Sequence, residues 1–197
     1  DPLDFYAKQK YLSERAAGWL NRAPTILRFG TLFGLSPRMR FDLVINLFVA
    51  QAIKEGKITV FGGNQYRPFL HVSDASDAII FSLEKNLTGT YNVISENLTM
   101  KQAAERVSKA TGCKIDISNE NEDKRSYRVS AEKLKQIGFE PSKTIEDAIN
   151  EIKEAIDDGQ ISNYDDAKYS NYKLLFGSKE MQEKVFIQGI PGSLDVP

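Results

Sequence analysis

Apolar and polar positions follow a pattern that changes repeatedly along the chain. From Leu3 to about Leu20, apolar side chains recur every three or four residues, which predicts an amphipathic helix that ends before Pro24. A run of β-favouring residues then predicts a strand at 25–29. The alternation continues with predicted helices near 43–53, 74–83, 99–110, 130–137 and 144–156, and predicted strands at 58–61, 69–72, 91–94 and 114–117.

Capping signals mark two of these helices. Thr99 and Gln102 form a capping-box pattern ahead of an apolar stripe, and Gly112 follows as a stop signal. Asp74 stands where it is expected to cap the helix that follows the third predicted strand.

The order of elements predicts the fold class. Strands and helices alternate, which favours an α/β layered fold with parallel strands. Beyond Asp157 the periodicity weakens into a polar, tyrosine-rich stretch. We therefore expect residues 160–197 to be a C-terminal extension with little independent structure.

Composition and charge exclude several kinds of partner. The chain has 197 residues, 41% of them hydrophobic, which is enough to bury a core. Lys plus Arg total 26 against 27 for Asp plus Glu, so the net charge of -1 gives no electrostatic case for binding nucleic acid or an anionic membrane. The longest apolar stretch is far too short to cross a bilayer.

The cysteine and histidine content bears on metals and compartment. Cys113 is the single cysteine and His71 the single histidine, so the sequence has neither an internal disulfide nor the ligands of a usual zinc site, and we predict no metal. A reducing, cytoplasmic setting is expected. His71 follows an apolar strand position, and we expect it to be packed and hydrogen-bonded rather than catalytic.

A tyrosine and a lysine four residues apart on the first helix could carry chemistry. Tyr6 and Lys10 fall on one face of that helix, about a turn apart. A phenol with a reference pKa near 10 needs a nearby positive charge to act as an acid or base at neutral pH. The spacing alone also fits a helix-surface aromatic, because Tyr-x-x-x-Lys occurs again at 164–168 and 169–173. Only the first pair precedes a strand and a glycine turn.

Several passages, in order, resemble one enzyme family. They are YAKQKYLSE, ILRFGTLFG, GGNQYRPFLHVSDASDAI, TYNV and LKQIGFEP. Their order and spacing over about residues 1–155 are similar to those of the extended short-chain dehydrogenase/reductases, the NAD-dependent nucleotide-sugar epimerases and dehydratases. The most specific element is Arg67 with Phe69, His71, Val72 and Asp74.

The resemblance implies an architecture. It predicts the C-terminal part of a Rossmann-like parallel sheet and a small α/β substrate-binding lobe. Residues 1–30 and 67–94 would belong to the nucleotide domain, and residues 31–66 and 95–159 to the nucleotide-sugar lobe.

The resemblance also implies roles for individual residues. Tyr6 would be the catalytic acid/base, and Lys10 would support it and hold the nicotinamide ribose of NAD, with NADP as an alternative, so both residues would contact the cofactor. Arg67 would clamp the substrate's diphosphate, a task that suits a guanidinium fork.

Other substrate contacts are expected from three regions of the chain. Val60 and Phe61 would offer backbone groups to the nucleotide base, although an ordinary core strand would look the same. Arg125 would be a second nucleotide-contacting arginine, with Lys124 and Arg128 as competitors. Thr31 stands where many members carry Asn.

A basic loop follows that threonine. Arg38 and Arg40 either add anion contacts or belong to a flexible basic loop. The residues alone leave both possibilities open.

Some parts of the family's machinery are absent from this sequence. No Gly-x-Gly-x-x-Gly or Gly-x-x-Gly-x-x-Gly occurs among the 13 glycines. In the family, the catalytic Ser or Thr lies upstream of the helix that carries the tyrosine matched by Tyr6. The chain starts at Asp1 inside a predicted helix, so we expect a truncated sequence.

Three interpretations therefore stand. The first is part of a nucleotide-sugar epimerase or dehydratase that works by transient oxidation and needs an N-terminal NAD-binding segment for activity. The second is a non-catalytic nucleotide-sugar-binding or assembly module. The third is a split enzyme or a proteolysed chain, whose N-terminal half is a separate polypeptide. The expected protein partner is a second copy of the chain in a homodimer, as the resemblance implies, or that separate N-terminal half.

Overall fold

The computed structural model describes residues 2, 4–118, 120, 123 and 125–176. Its helices are α1 Phe5–Ala17, α2 Val44–Glu55, α3 Val72–Glu84, α4 Met100–Thr111, α5 Glu132–Lys135, α6 Ile145–Asp157 and α7 Asn171–Phe176, with a 3-10 turn at Ala167–Tyr169. Its strands are β1 Thr25–Phe29, β2 Thr31–Phe33, β3 Lys57–Phe61, β4 Tyr66–His71, β5 Gly89–Val93, β6 Glu96–Thr99 and β7 Lys114–Ser118.

The strands form three small sheets. β1 pairs with β5, β2 with β4, and β3 with β7, each in parallel. β6 adds to β4 in the antiparallel direction, so Arg67 lies opposite Leu98. Right-handed helical crossovers are the usual way to join parallel neighbours, and here helices α2, α3 and α4 lie between strands along the chain.

Two clusters of buried side chains hold these layers together. The larger cluster packs α2, α4 and α6 against β3, and includes Ile45, Val60 and Ile152, all fully buried. The smaller cluster lies under α3 and β5 and includes Leu70 and Val93. Helix α6 is strongly amphipathic, and a capping box with Thr144 as the N-cap residue stabilises its first turn.

The predicted capping box of α4 is present. The Thr99 side chain accepts from the Gln102 backbone, the Gln102 side chain accepts from the Thr99 backbone, and Gly112 ends the helix with a left-handed φ of 74°. The predicted role of Asp74 is wrong. α3 begins two residues earlier at Val72, and the His71 imidazole caps it by accepting from Ser73 N–H.

Asp74 instead fixes a distant loop. Its buried carboxylate accepts hydrogen bonds from Ser142 N–H at 2.9 Å, from Ser142 Oγ–H at 3.2 Å and from Lys143 N–H at 3.0 Å. These bonds hold the segment that leads into α6. Helix α3 is thereby tied to the segment that precedes α6.

Residues 160–176 contain more structure than expected. The 3-10 turn at Ala167–Tyr169 packs against the larger cluster, where Ile161 and Tyr169 are buried, and helix α7 contacts that turn. The remainder of the predicted extension, residues 177–197, lies outside the described residues. Within the described part of the chain, no helix combines the length and the apolar character needed to cross a membrane.

Candidate functional site

Helix α1 carries Tyr6 and Lys10 on one face. Asp4 caps the helix, its side chain accepting from Ala7 N–H at 2.7 Å, and so fixes where the helical turn begins. The Lys10 Nζ lies 5.5 Å from the centroid of the Tyr6 ring, within the range of a cation–π contact. Both side chains line the same cavity, and the Tyr6 side chain is largely exposed.

This cavity has a volume of about 590 Å³ and lies between α1, the ends of β1 and β2, and the loop that follows β2. Its volume is in the range of small-molecule sites. Two glycines and several cationic side chains are among the residues that line it. The lining residues are Tyr6, Lys10, Glu14, Leu27, Arg28, Phe29, Gly30, Leu32, Phe33, Gly34, Ser36, Arg38, Met39, Arg40, Leu43, Asn46 and Val72.

The loop at residues 34–43, here called the arginine loop, forms one wall of the cavity. Asn46, buried in α2, closes it: its Oδ1 accepts from Gly34 N–H at 3.0 Å, and its Nδ2 donates to Arg40 C=O at 3.0 Å. Leu35 N–H also donates to Glu151 at 3.3 Å. The sequence signal for Asn46 was an amide that interrupts the apolar stretch at 43–50, and sequence reasoning did not assign it a role.

Side chains of the arginine loop alternate between core and cavity. Met39 and Phe41 are buried, whereas Arg38 is exposed and Arg40 partly exposed, and both arginines line the cavity. Arg40 forms a two-point hydrogen-bonded pair with Asp42, at 2.8 and 2.9 Å. The Asp42 carboxylate, in turn, raises the pKa of Arg40 above its usual value.

An ion pair joins α1 to β1 at the cavity. The Arg28 guanidinium donates two hydrogen bonds to the Glu14 carboxylate, and these bonds lower the pKa of Glu14 against the opposing effect of partial burial. Sequence reasoning missed this pair, since its members belong to different elements. The lining carries more positive than negative side chains. Its cations are Lys10, Arg28, Arg38 and Arg40, and its one carboxylate is Glu14.

Arg67 and Arg125 meet around one carboxylate. Arg67 on β4 is buried at 9% exposure and donates to Tyr66 C=O, to Arg125 C=O and, at 2.7 Å, to Asp123 Oδ2. Arg125 donates to the same Asp123 oxygen at 2.7 Å. Hydrogen bonds from Arg125, more than those from Arg67, hold the pKa of Asp123 far below its usual range.

This arginine pair stands beside the cavity rather than in its lining. Arg125 Nη1 also donates to Asp4 at 3.0 Å, which links the pair to the start of α1. The two competitors of Arg125 separate: Arg128 stacks over the Tyr66 ring at 3.6 Å, and Lys124 lies outside the described residues.

The remaining expected substrate contacts lie on strands. Val60 and Phe61 are in β3 opposite Ile117 and Ser118 of β7; Val60 is fully buried and Phe61 is 46% exposed. Thr31 begins β2 opposite Phe69, between Gly30 and Leu32, which both line the cavity. The structure therefore brings Tyr6 and Lys10 together at the cavity, and Arg67 with Arg125 at Asp123. The three strand positions are not among the residues that line this cavity.

Comparisons with known proteins identify the family. The model of the NAD dependent epimerase/dehydratase family matches residues 1–94. Residues 1–94 are therefore similar to members of that family. The epimerase/dehydratase resemblance found in the sequence is thereby confirmed.

Two curated relatives come from the plant Arabidopsis thaliana. UDP-glucuronic acid decarboxylase 3 of Arabidopsis thaliana is 34% identical over 124 residues, which cover 58% of this chain and 36% of the relative. UDP-glucuronic acid decarboxylase 5 of the same species is 32% identical over 124 residues, with the same coverage. The matched region is thus about a third of the length of these relatives.

Solved structures confirm the fold. The UDP-glucuronic acid 4-epimerase from Bacillus cereus, in complex with UDP-glucuronic acid and NAD, matches with a TM-score of 0.64 at 22% identity, over 80% of this chain and 54% of that one. The Thermus thermophilus UDP-glucose 4-epimerase, in complex with NAD, matches with a TM-score of 0.59 at 20% identity, over 76% and 52%. The α/β, Rossmann-like class predicted from the sequence is correct.

Proposed function

We propose that this chain supplies the acid/base helix and the substrate lobe of an NAD-dependent enzyme that transiently oxidises a nucleotide sugar. The observation that carries the proposal is that Tyr6 and Lys10 lie together at the mouth of a positively lined cavity of about 590 Å³. Family membership sets the reaction class, and the geometry supplies groups that suit it.

The proposed chemistry assigns a step to each residue of this pair. Tyr6 Oη takes the proton of a sugar hydroxyl, and the Lys10 ammonium favours the charged phenolate that this transfer requires. A bound NAD would supply the acceptor for the hydride that leaves the carbon bearing this hydroxyl. Lys10 fits such a dinucleotide, because none of the ion pairs among the described residues includes it and its ammonium can donate to ribose hydroxyls.

The sugar is proposed to be acidic. Four cations and one carboxylate line the cavity, although the chain as a whole has a net charge of -1. Arg28 pairs with Glu14 and Arg40 with Asp42, so Lys10 and Arg38 are the lining cations outside the ion pairs of the described residues. Local charge of this kind favours an anionic ligand. The curated relatives are named for UDP-glucuronic acid, whose sugar carries a carboxylate, so we assign a nucleotide-linked uronic acid as substrate.

Arg67 and Arg125 are proposed to bind the diphosphate. Their guanidinium groups already converge on a carboxylate, Asp123, as they would on phosphate oxygens. Val60 and Phe61 would contribute backbone groups to the nucleotide base, and Thr31 would face the sugar from β2.

Removing the phenol tests the catalytic part of this proposal. In the full-length natural protein with NAD, Tyr6→Phe should lower the rate of UDP-glucuronic acid conversion by roughly 100-fold or more, because a general acid/base contributes about that much. Tyr11→Phe is the matched control, since it removes a second exposed phenol from the same helix. A Tyr6→Phe enzyme as active as the control would eliminate Tyr6 as the acid/base.

A binding measurement tests the diphosphate contact separately. Calorimetric titration should show that Arg67→Lys binds UDP more than tenfold more weakly, a loss of about 1.4 kcal/mol in binding free energy. Lysine keeps the positive charge but lacks the two-pronged guanidinium. Arg128→Ala serves as control, as its guanidinium lies on the Tyr66 ring rather than at Asp123. Equal affinities for the two variants would rule out Arg67 as the diphosphate ligand.

Two further expectations concern assembly and organisation. Leu12 on α1 is 62% exposed, and Trp19 just after the helix is 80% exposed. Exposed apolar side chains of this size support a protein partner at this surface, either a second copy or an N-terminal half. We propose that the enzyme is cytoplasmic. The two side-chain clusters support the proposed division into nucleotide domain and sugar lobe, although the smaller cluster also recruits Leu134 and Phe139 from the lobe. Sedimentation of Trp19→Ser against the parent protein tests the partner surface.

A further inference from the structure

We infer that residues 160–176, here called the C-terminal segment, position the arginine loop, so that recognition of the proposed acidic sugar depends on a part of the chain beyond the family match. The inference rests on the proposed function, because it concerns the same cavity. The loop has the cavity on one side and the C-terminal segment on the other.

Phe41 is the first point at which the segment holds the loop. Its N–H donates to Tyr169 C=O at 3.1 Å. The two rings meet edge to face, with centroids 5.1 Å apart and planes at 88°, and the Tyr164 ring packs on Phe41 at 5.9 Å. Aromatic pairs in this arrangement contribute beyond the area they bury, so Phe41 is fixed by both backbone and ring.

Arg38 is the second point. Its Nη2 donates to Asn171 Oδ1 at 2.9 Å, at the first residue of α7. Ser170 Oγ, one residue earlier, lies 3.4 Å from Asp42 Oδ2, the carboxylate that also holds Arg40. The segment thus reaches both cavity-lining arginines of the loop, one directly and one through Asp42.

The identity of the Arg38 partner matters for function. Asn171 is a neutral amide, so it orients the guanidinium without neutralising it, whereas Arg28 is paired with the Glu14 carboxylate. None of the ion pairs among the described residues includes Arg38. A charge that is oriented and still uncompensated suits an anionic ligand, and holding it in advance lowers the entropy cost of binding.

This geometry also decides between the two interpretations of the basic loop. Buried Met39 and Phe41 alternate with Arg38 and Arg40, and the loop is held by Asn46 from one side and Tyr169 from the other. A freely flexible loop would have neither feature. Tyr169 and Asn171 are therefore positioning residues for the cavity, acting through Phe41 and Arg38.

Hydrogen exchange in the full-length natural protein tests the anchoring without any ligand. Tyr169→Ala should speed exchange of the Phe41 amide at least tenfold, while Tyr169→Phe, which keeps the ring, should leave it within twofold. Unchanged Phe41 exchange in Tyr169→Ala would overturn the positioning role.

Calorimetry with UDP-glucuronic acid and UDP-glucose tests the link to binding. Asn171→Ala should weaken the affinity for UDP-glucuronic acid at least threefold and leave the affinity for UDP-glucose within twofold. A merely structural defect would not change the ratio of the two affinities. Asn163→Ala, in the same segment, is the control and should change neither. Equal weakening of both ligands, or of neither, would overturn the inference. If the parent protein binds neither ligand, the proposed function is wrong, and so is the dependence of sugar binding on the segment. Exchange of the Phe41 amide still decides whether the segment anchors the loop.

Discussion

The Nε2 of His71 and the Oε2 of Glu151 lie 3.1 Å apart, although 80 residues separate them in sequence. His71 is fully buried, and its Nδ1 accepts from Ser73 N–H, so Nε2 carries the proton and donates to Glu151. The same carboxylate accepts from Leu35 N–H. One acidic side chain on α6 thus connects β4 with the arginine loop.

Removing that acceptor should destabilise the protein. Glu151→Ala leaves the buried imidazole N–H unpaired, so we expect the free energy of unfolding to fall by about 1–3 kcal/mol. Urea denaturation measures this loss. Glu151→Gln keeps an acceptor and should lose less, and Glu154→Ala, exposed on the same helix, should change stability by less than about 0.5 kcal/mol. Equal stability of Glu151→Ala and Glu154→Ala would contradict the connection.

Gly34 should not tolerate a side chain. Its φ is 103°, and an added Cβ would collide with the His71 imidazole. Gly34→Ala is therefore expected to cost about 3 kcal/mol or more in thermal or urea unfolding, combining backbone strain with overpacking. Gly56 has a left-handed φ of 69° but open space where a Cβ would lie, so Gly56→Ala should cost only about 1–2 kcal/mol. A reversed order would show that the imidazole moves aside.

Asp74 should matter for stability as a distant tether. Asp74→Ala removes three hydrogen bonds to residues 142 and 143, and we expect a loss of roughly 2–4 kcal/mol, measured by urea denaturation. Asp77→Ala, on the exposed side of the same helix, is the control. A cost at Asp74 no greater than that at Asp77 would mean that the residues before α6 are held by other contacts.

Tyr164 should titrate late. A hydrogen bond from its phenol to Glu55 raises the pKa of Tyr164 to about 12. Because the folded pKa is raised, this contribution to stability is complete below the ordinary value near 10 and is lost as the pH rises through about 12.

Tyrosinate absorbance can follow that titration. Subtracting the curve of Tyr164→Phe from that of the parent protein should isolate a transition near pH 12. In Glu55→Ala the same transition should move down toward 10, since the acceptor is gone. A parent transition already centred near 10 would show that the Tyr164–Glu55 bond does not persist in solution.

Local patterns predicted much of the fold, because they depend on neighbours in sequence. The α4 capping box is a three-residue relationship, and it forms as expected. β2 and β6 were not predicted, since they have three and four residues and too few positions to show a period. Asp74 was misassigned because its partners lie 68 and 69 residues away, where no local pattern reveals them.

The candidate site shows the same division between local and distant relationships. Tyr6 and Lys10 are four apart on one helix, so spacing alone places them on one face, and the structure brings both to the cavity. The Arg28–Glu14 and Arg38–Asn171 contacts join different elements, at separations of 14 and 133 residues. Such pairs depend on packing, which a single sequence does not display.

Helix α1 has no buried residue, whereas the cluster of α2, α4 and α6 contains most of the large side chains that are fully enclosed. Cooperative unfolding is governed by such enclosed side chains. We therefore expect a melting curve of this chain to report mainly on that cluster and little on the helix that carries Tyr6 and Lys10. A variant can keep its melting temperature and still have lost the geometry of its reactive pair, so stability screens cannot replace a direct probe of that helix.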